Sequence, residues 1–121
     1  RWVIDQAAGK VHETQIDDRV VDFPRVCDSV VGLKHQYGYC AAFASGAPFG
    51  EGLVKYDMAT GNSEYRHLDG GQASEAVFVK NPEGTGEDDG WLMTYVYQPE
   101  IDQSEVMILN APCAGTGWIS W

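Results

Sequence analysis

An internal repeat of about 52 residues is the strongest constraint on what this chain can fold into. Asp5 to Gly9 and Asp57 to Gly61 share the pattern Asp-x-Ala-x-Gly, and each copy lies between apolar segments. Asp can cap a tight turn and Gly can adopt positive φ, so each copy is predicted to form strand, turn and strand. Val106 to Asn110 resembles Leu53 to Asp57 at an offset of 53, which predicts the start of a third unit.

The rest of the chain is also typical of strands. Gly, Pro, Asn and Asp separate segments rich in β-branched and aromatic residues, and no convincing helix is evident. A unit of about four strands repeated near every 50 residues is typical of propeller blades, which bury their faces on one another. The fold class is therefore predicted as all-β, a β-propeller fragment of about two blades; a self-contained β-sandwich stays open as the alternative. The segments are Val20–Val26, Gln36–Phe43, Glu75–Val79 and Trp91–Tyr97.

Size and charge limit the possible functions. The chain has 121 residues, enough for one modest domain, and a formal net charge of −10. No basic stripe is present, so nucleic acid is not an expected partner, and anionic membrane surfaces would repel the chain. The three cysteines are scattered, which favours reduced thiols and a cytoplasmic location. The sequence does not begin like a signal peptide, and it lacks an initiator Met, which suggests a piece of something longer.

Few side chains are spaced for chemistry. His12, His35 and His67 each stand alone among polar neighbours, so we interpret them as surface residues. The acidic run Glu87 to Gly90 lacks the spacing of a calcium loop and is interpreted as a hairpin turn.

Two acids occupy nearly the same place in successive repeats. Asp22 and Glu75 are 53 positions apart, and each is expected to open an apolar strand that follows a hairpin. Equivalent positions of successive blades face the same axis, where a buried carboxylate needs a partner such as a metal or a metal-binding histidine. The alternative, that both acids cap strands on the surface, stays open at this point.

The sequence resembles the carotenoid oxygenases, which include apocarotenoid and lignostilbene cleavage dioxygenases. The similarity runs from Arg1 to about Asn110, and five motifs follow in the family's order. They are Asp17-Asp18-Arg19 leading to Asp22-Phe23-Pro24-Arg25, Leu53-Val54-Lys55-Tyr56-Asp57, Ser74-Glu75-Ala76-Val77-Phe78-Val79, Glu87-Asp88-Asp89-Gly90-Trp91-Leu92 and Val106-Met107-Ile108-Leu109-Asn110-Ala111.

This resemblance implies a seven-bladed propeller in which four axial histidines bind a non-haem Fe(II). That iron uses O2 to split a carbon–carbon double bond of an apolar polyene or stilbene. Three glutamates hydrogen-bond three of the histidines, and by matching position Glu75 looks like one of them. Asp22 stands where the family usually has the Glu of a Glu-Phe-Pro motif. Asp is one methylene shorter, so its carboxylate falls about 1.5 Å short of the imidazole unless a water bridges or the backbone shifts.

The resemblance also implies that the iron ligands lie outside this chain. The histidines of earlier blades would precede Arg1, and residues 112–121, an atypical tail, contain no histidine where the family has Phe-His-Gly. Residues 1–121 are thus expected to be a C-terminal fragment of such a dioxygenase, completed by the missing blades and inactive without them. The isolated chain is expected to hold no iron. The alternative is a non-catalytic β-rich binding or interaction module derived from that fold.

Overall fold

A computed structural model describes residues 1–112 and is built almost wholly from antiparallel strands. One short 3₁₀ helix, Asp28–Val30, interrupts them. The strands are β1 Trp2–Asp5, β2 Lys10–Glu13, β3 Val20–Arg25, β4 Tyr37–Phe43, β5 Gly50–Asp57, β6 Asn62–His67, β7 Gln72–Ala73, β8 Val77–Lys80, β9 Gly90–Gln98 and β10 Gln103–Asn110.

The two turns with the shared pattern have the expected structure. The carboxylates of Asp5 and Asp57 each accept a hydrogen bond from a backbone N–H of their own turn, at 2.9 Å and 2.8 Å. Gly9 and Gly61 end the turns with φ of 63° and 76°, values that L side chains rarely adopt. The predicted hairpins β1–β2 and β5–β6 are therefore confirmed.

The strands form one complete blade and three strands of a second. The first blade is β3–β4–β5–β6 and the second is β8–β9–β10, each an antiparallel run of neighbouring strands. The short β7 pairs with both β5 and β9 and so joins the blades, while β1–β2 forms a separate two-stranded sheet. The all-β propeller fragment of about two blades is confirmed, and the sandwich alternative is excluded.

The prediction that Val106 to Asn110 starts a third unit is wrong. Gly50 to Gln103 and Asp57 to Asn110 are each 53 positions apart, so β10 corresponds to β5, the third strand of a blade. It therefore continues the second blade and does not begin a new one. A sequence repeat reveals the period of a fold, but the boundary between units depends on which strands pair.

The core lies between the two blades. Direct cross-strand partners share a face of a sheet, so Ala41 and Leu53 lie on one face of the first blade, which we call the covered face. Tyr39 lies two residues from Ala41 on the same side and stacks on Phe78 of the second blade, with ring centroids 5.5 Å apart. Leu92 is fully buried in the same cluster. The covered face therefore fixes the second blade against the first.

Asp17 ties the segment before β3 to the first blade. Its carboxylate accepts hydrogen bonds from the Tyr56 hydroxyl and from Nη1 of Arg19, each at 2.6 Å. Burial by itself raises the pKa of Asp17, but the bonds from Tyr56 and Arg19 and the Arg19 charge outweigh it. The pKa therefore lies below the ordinary 3.8.

We expect Asp17→Asn to reduce the free energy of unfolding near neutral pH and to have little effect in acid. A lowered folded-state pKa contributes stability above the unfolded value of 3.8, and this contribution is lost as the pH falls through the folded value. Urea unfolding at about pH 6 and about pH 3 measures this difference. Asp18→Asn, a change at the exposed neighbour, is the matched control. An equal loss for Asp17→Asn at both pH values would contradict the prediction.

Candidate functional site at the junction of the blades

We expected Asp22 to open a strand, but it is the third residue of β3, and it is exposed. It lies on the same side of the sheet as the covered face, because its cross-strand partner is Ala41. One oxygen of its carboxylate accepts the N–H of the next residue, Phe23, at 2.7 Å. Phe23 has φ of 55°, a left-handed conformation that is uncommon for a bulky side chain. The register shifts between Asp22 and Arg25, so this conformation marks a β-bulge.

The bulge changes which way Arg25 faces. In a regular strand, residues three apart lie on opposite faces. Here Arg25 opposes Tyr39, whereas Asp22 opposes Ala41, and both partners belong to the covered face. Arg25 is thereby brought to the side of β3 that faces the second blade.

Glu75 lies on the opposite side of this junction. Its carbonyl accepts the hydroxyl of the buried Thr94 of β9 at 3.2 Å, and its carboxylate forms an ion pair with Arg25. We expected Glu75 to begin a strand, but β8 begins at Val77. Glu75 therefore lies in the connection between β7 and β8, anchored by Thr94 and facing Arg25.

Arg25 is thus the group that links the two predicted site residues, and the sequence reasoning did not single it out. The available signal was its position in Asp22-Phe23-Pro24-Arg25, where the positive φ before a proline could not be inferred. Cys40 lies near Asp22: burial and then the Asp22 charge raise the pKa of its thiol to about 11. Cys40 is therefore a neutral thiol near neutral pH.

The acidic run from Glu87 lies in the loop of the antiparallel β8–β9 hairpin, as predicted, but this loop is longer than a tight turn. A nine-residue segment, 81–89, connects β8 and β9. The Glu87 carboxylate accepts the backbone N–H groups of Gln36 and Tyr37 of the first blade, at 2.8 to 2.9 Å. Glu87 therefore binds the loop to the first blade.

In the first blade, Lys55 is the residue that binds this loop. It lies on β5 with only 4% of its surface exposed. Its Nζ donates to Asp88 at 2.7 Å and to the carbonyl of Ala111 at 2.9 Å, and it lies 4.4 Å from the centroid of the Tyr37 ring. A buried ammonium therefore joins the blades at a site that the sequence pattern did not indicate.

The histidines lie apart from this junction. His12, His35 and His67 are all exposed, as predicted. Within residues 1–112 there is no group of three or more His, Cys, Asp or Glu side chains that could hold a metal ion. The described residues therefore do not form a metal site by themselves.

Two further features concern thiols and membranes. Cys27 and Cys40 are free thiols; Cys113 and the rest of the predicted atypical tail beyond residue 112 lie outside the described residues. Among residues 1–112, no helix has the length and apolar character needed to span a bilayer.

Comparison with known proteins matches nearly the whole chain. The model of the RPE65 family, described as retinal pigment epithelial membrane protein, matches residues 1–114. The chain is 36% identical over 118 residues to a carotenoid cleavage oxygenase of Mycobacterium tuberculosis, covering 92% of this chain and 24% of that protein. It is 35% identical over 115 residues to an apocarotenoid-15,15'-oxygenase of Synechocystis, covering 92% and 23%.

The same relationship appears in the fold. The crystal structure of a cobalt-substituted apocarotenoid oxygenase (ACO) of Synechocystis superposes with a TM-score of 0.88 at 32% identity, covering 98% of this chain and 26% of that one. The chain thus spans about a quarter of the length of the relatives it matches. Matching motifs, matching blades and a family model that covers residues 1–114 lead to one conclusion: the chain belongs to the carotenoid oxygenase family.

Proposed function

We propose that this chain is part of a non-haem Fe(II) dioxygenase that cleaves a carbon–carbon double bond of a carotenoid, apocarotenoid or stilbene. The observation that carries the proposal is the superposition of its blades on an apocarotenoid oxygenase, at a TM-score of 0.88 and 32% identity. The M. tuberculosis and Synechocystis relatives, at 36% and 35% identity, bear names of the same chemistry. The substrates would be an apolar polyene or stilbene and O2.

In this proposal Asp22 and Glu75 orient histidines that bind the iron and lie outside this chain. A carboxylate that accepts the free N–H of a metal-bound imidazole fixes its ring and raises its basicity. Asp22 lies on the covered face, and Glu75 is anchored across the same junction. In each carboxylate one oxygen makes the contact described above, Asp22 with the Phe23 N–H and Glu75 with Arg25, and the second oxygen is left for an imidazole N–H. The iron, once bound by those histidines, would activate O2.

An open sheet face supports the proposal that further blades complete the protein. The face of the second blade that points away from the first is mostly apolar, with Ser104 and Asn110 as polar residues of β10 on it. Val77, Tyr95 and Val106 expose 51%, 69% and 48% of their surface there. Apolar sheet faces of this kind are normally covered by another layer. We infer that the missing blades of the same propeller cover it. The cross-strand pairs on this face are Val77 with Met93, Val79 with Trp91, Tyr95 with Val106, Met93 with Ile108, Trp91 with Asn110, and Tyr97 with Ser104 and Gln72.

The second candidate function is a non-catalytic binding or interaction module. The same open face favours it, because an apolar patch can bind a protein partner without any metal. A cytoplasmic location agrees with either function and is part of the proposal.

A chimera tests the dioxygenase proposal. Residues 1–112 would replace the matching segment of the Synechocystis apocarotenoid-15,15'-oxygenase, which supplies the other blades. We expect the chimera to retain stoichiometric Fe(II) after anaerobic loading and desalting and to cleave an apocarotenoid. The isolated chain, treated identically, should lose its iron and show no cleavage, because the imidazole ligands are absent. A folded chimera that retains no iron would favour the binding module. An isolated chain that keeps iron would contradict the proposal that the iron ligands lie outside this chain.

A further inference from the structure

The bulge in β3 and the ion pair across the junction form one connected arrangement. Asp22 accepts the N–H of Phe23, whose positive φ creates the bulge, and the bulge brings Arg25 to the side of Glu75. Without the bulge, Arg25 would point to the other face of the first blade. The strained conformation at Phe23 therefore has an identifiable consequence for Glu75.

The carboxylate of Glu75 would otherwise be poorly constrained. Thr94 holds the backbone of Glu75 through its carbonyl but does not bind the carboxylate. The Glu75 side chain is 44% exposed, and the residue does not belong to a regular strand. A planar guanidinium presents donors in a fixed geometry, so it restricts the carboxylate orientation more than a flexible ammonium does.

We propose that Arg25 is a positioning residue for Glu75, held in place by the bulge that Asp22 stabilises. The ion pair is solvent-exposed on both sides, with 43% and 44% of the side chains accessible, so its contribution to folding stability is small. Its role is to fix the orientation of one carboxylate oxygen and leave the other free. The use of the free oxygen, to orient a metal-bound histidine, rests on the proposed function. The arrangement of Arg25 and Glu75 itself requires no metal.

Carboxyl footprinting of the 121-residue chain tests it directly. Carbodiimide and glycine ethyl ester modify accessible carboxylates, and mass spectrometry reports the rate at each residue. We expect Arg25→Gln to raise the rate at Glu75 about two- to fivefold, the range set by exposed ion pairs. Arg25→Lys should give a smaller increase, because lysine keeps the positive charge but lacks the planar guanidinium with its donors in a fixed geometry. The rate at Asp88, which contacts Lys55, should not change.

Two controls make the result specific. Arg19→Gln removes an arginine of similar exposure, 40%, which pairs with Asp17. It should raise the rate at Asp17 and leave Glu75 unchanged. At the bulge, Asp22→Ala removes the acceptor for the Phe23 N–H and should raise the rate at Glu75. Asp22→Asn keeps an acceptor oxygen and should not.

An unchanged rate at Glu75 in Arg25→Gln, with Asp17 responding to Arg19→Gln, would overturn the proposal. If Arg25→Gln unfolds the chain, Asp88 will also become reactive. In that case Arg25→Lys and Asp22→Ala test the proposal, and an unchanged rate at Glu75 in both would overturn it. Failure of the chimera to hold iron, with the footprint as expected, would reject the dioxygenase proposal and leave the positioning of Glu75 intact. The reverse outcome would reject only the role of Arg25.

Discussion

Replacing Glu75 by glutamine in the chimera is expected to lower its affinity for Fe(II) about 10–100-fold, the usual consequence of losing a carboxylate that holds a metal-bound histidine. Glutamine keeps the size of the side chain and one acceptor oxygen, but it has no charge with which to stabilise the imidazole. It also loses the ion pair with Arg25. Competition with a chelator under anaerobic conditions measures the affinity without reference to turnover.

The matched control for this variant is Glu100→Gln, which makes the same chemical change at an exposed position between β9 and β10. It should leave the iron affinity unchanged. An affinity for Glu75→Gln equal to that of the unmodified chimera would show that Glu75 is an ordinary surface acid near a strand end. The alternative drawn from the sequence, that these acids cap strands on the surface, would then apply to Glu75.

The second large effect concerns the ammonium buried between the blades. We expect Asp88→Ala to reduce the free energy of unfolding by about 3 kcal/mol, the lower end of the range for breaking a buried ion pair. The lower end applies because the side chain of Asp88 is 18% exposed, whereas the side chain of Lys55 is only 5% exposed. The variant leaves Lys55 with the Ala111 carbonyl and the Tyr37 ring but no counter-charge. Urea unfolding of the chain measures the loss.

A double-mutant cycle separates the ion pair from other effects. Lys55→Met removes the charge at similar volume, and the double variant Lys55→Met with Asp88→Ala should recover most of the lost stability, because no unpaired charge stays buried. Additive losses in the two single variants would contradict this account. They would indicate that Lys55 and Asp88 contribute independently.

Much of the fold could be predicted because turn chemistry is local. The carboxylates of Asp5 and Asp57 bind N–H groups a few residues away, and Gly9 and Gly61 supply the positive φ. This local pattern occurs at β1–β2 and again at β5–β6, so its spacing reveals the period of the propeller. The phase of the repeat was not predictable, because the assignment of β10 to the second blade depends on its pairing with β9.

The candidate site, like the fold, could be predicted from the sequence only in part. Asp22 and Glu75 could be selected from sequence, since an offset of 53 residues and the family motifs both mark them. Arg25 could not, because a regular strand would place it on the opposite face from Asp22, and only the bulge reverses this. A bulge is a register shift relative to a partner strand, so it has no meaning until the strands pair.

The sequence alone therefore determined the all-β class, the blade period and both repeated turns, because each depends on neighbours within a few residues or on motifs read along the chain. Tertiary structure alone decided the ion pair of Arg25 with Glu75 and the burial of Lys55 against Asp88. Those contacts join residues 50 and 33 positions apart. Their existence depends on how two blades pack, and sequence spacing does not specify the distance between side chains on different sheets.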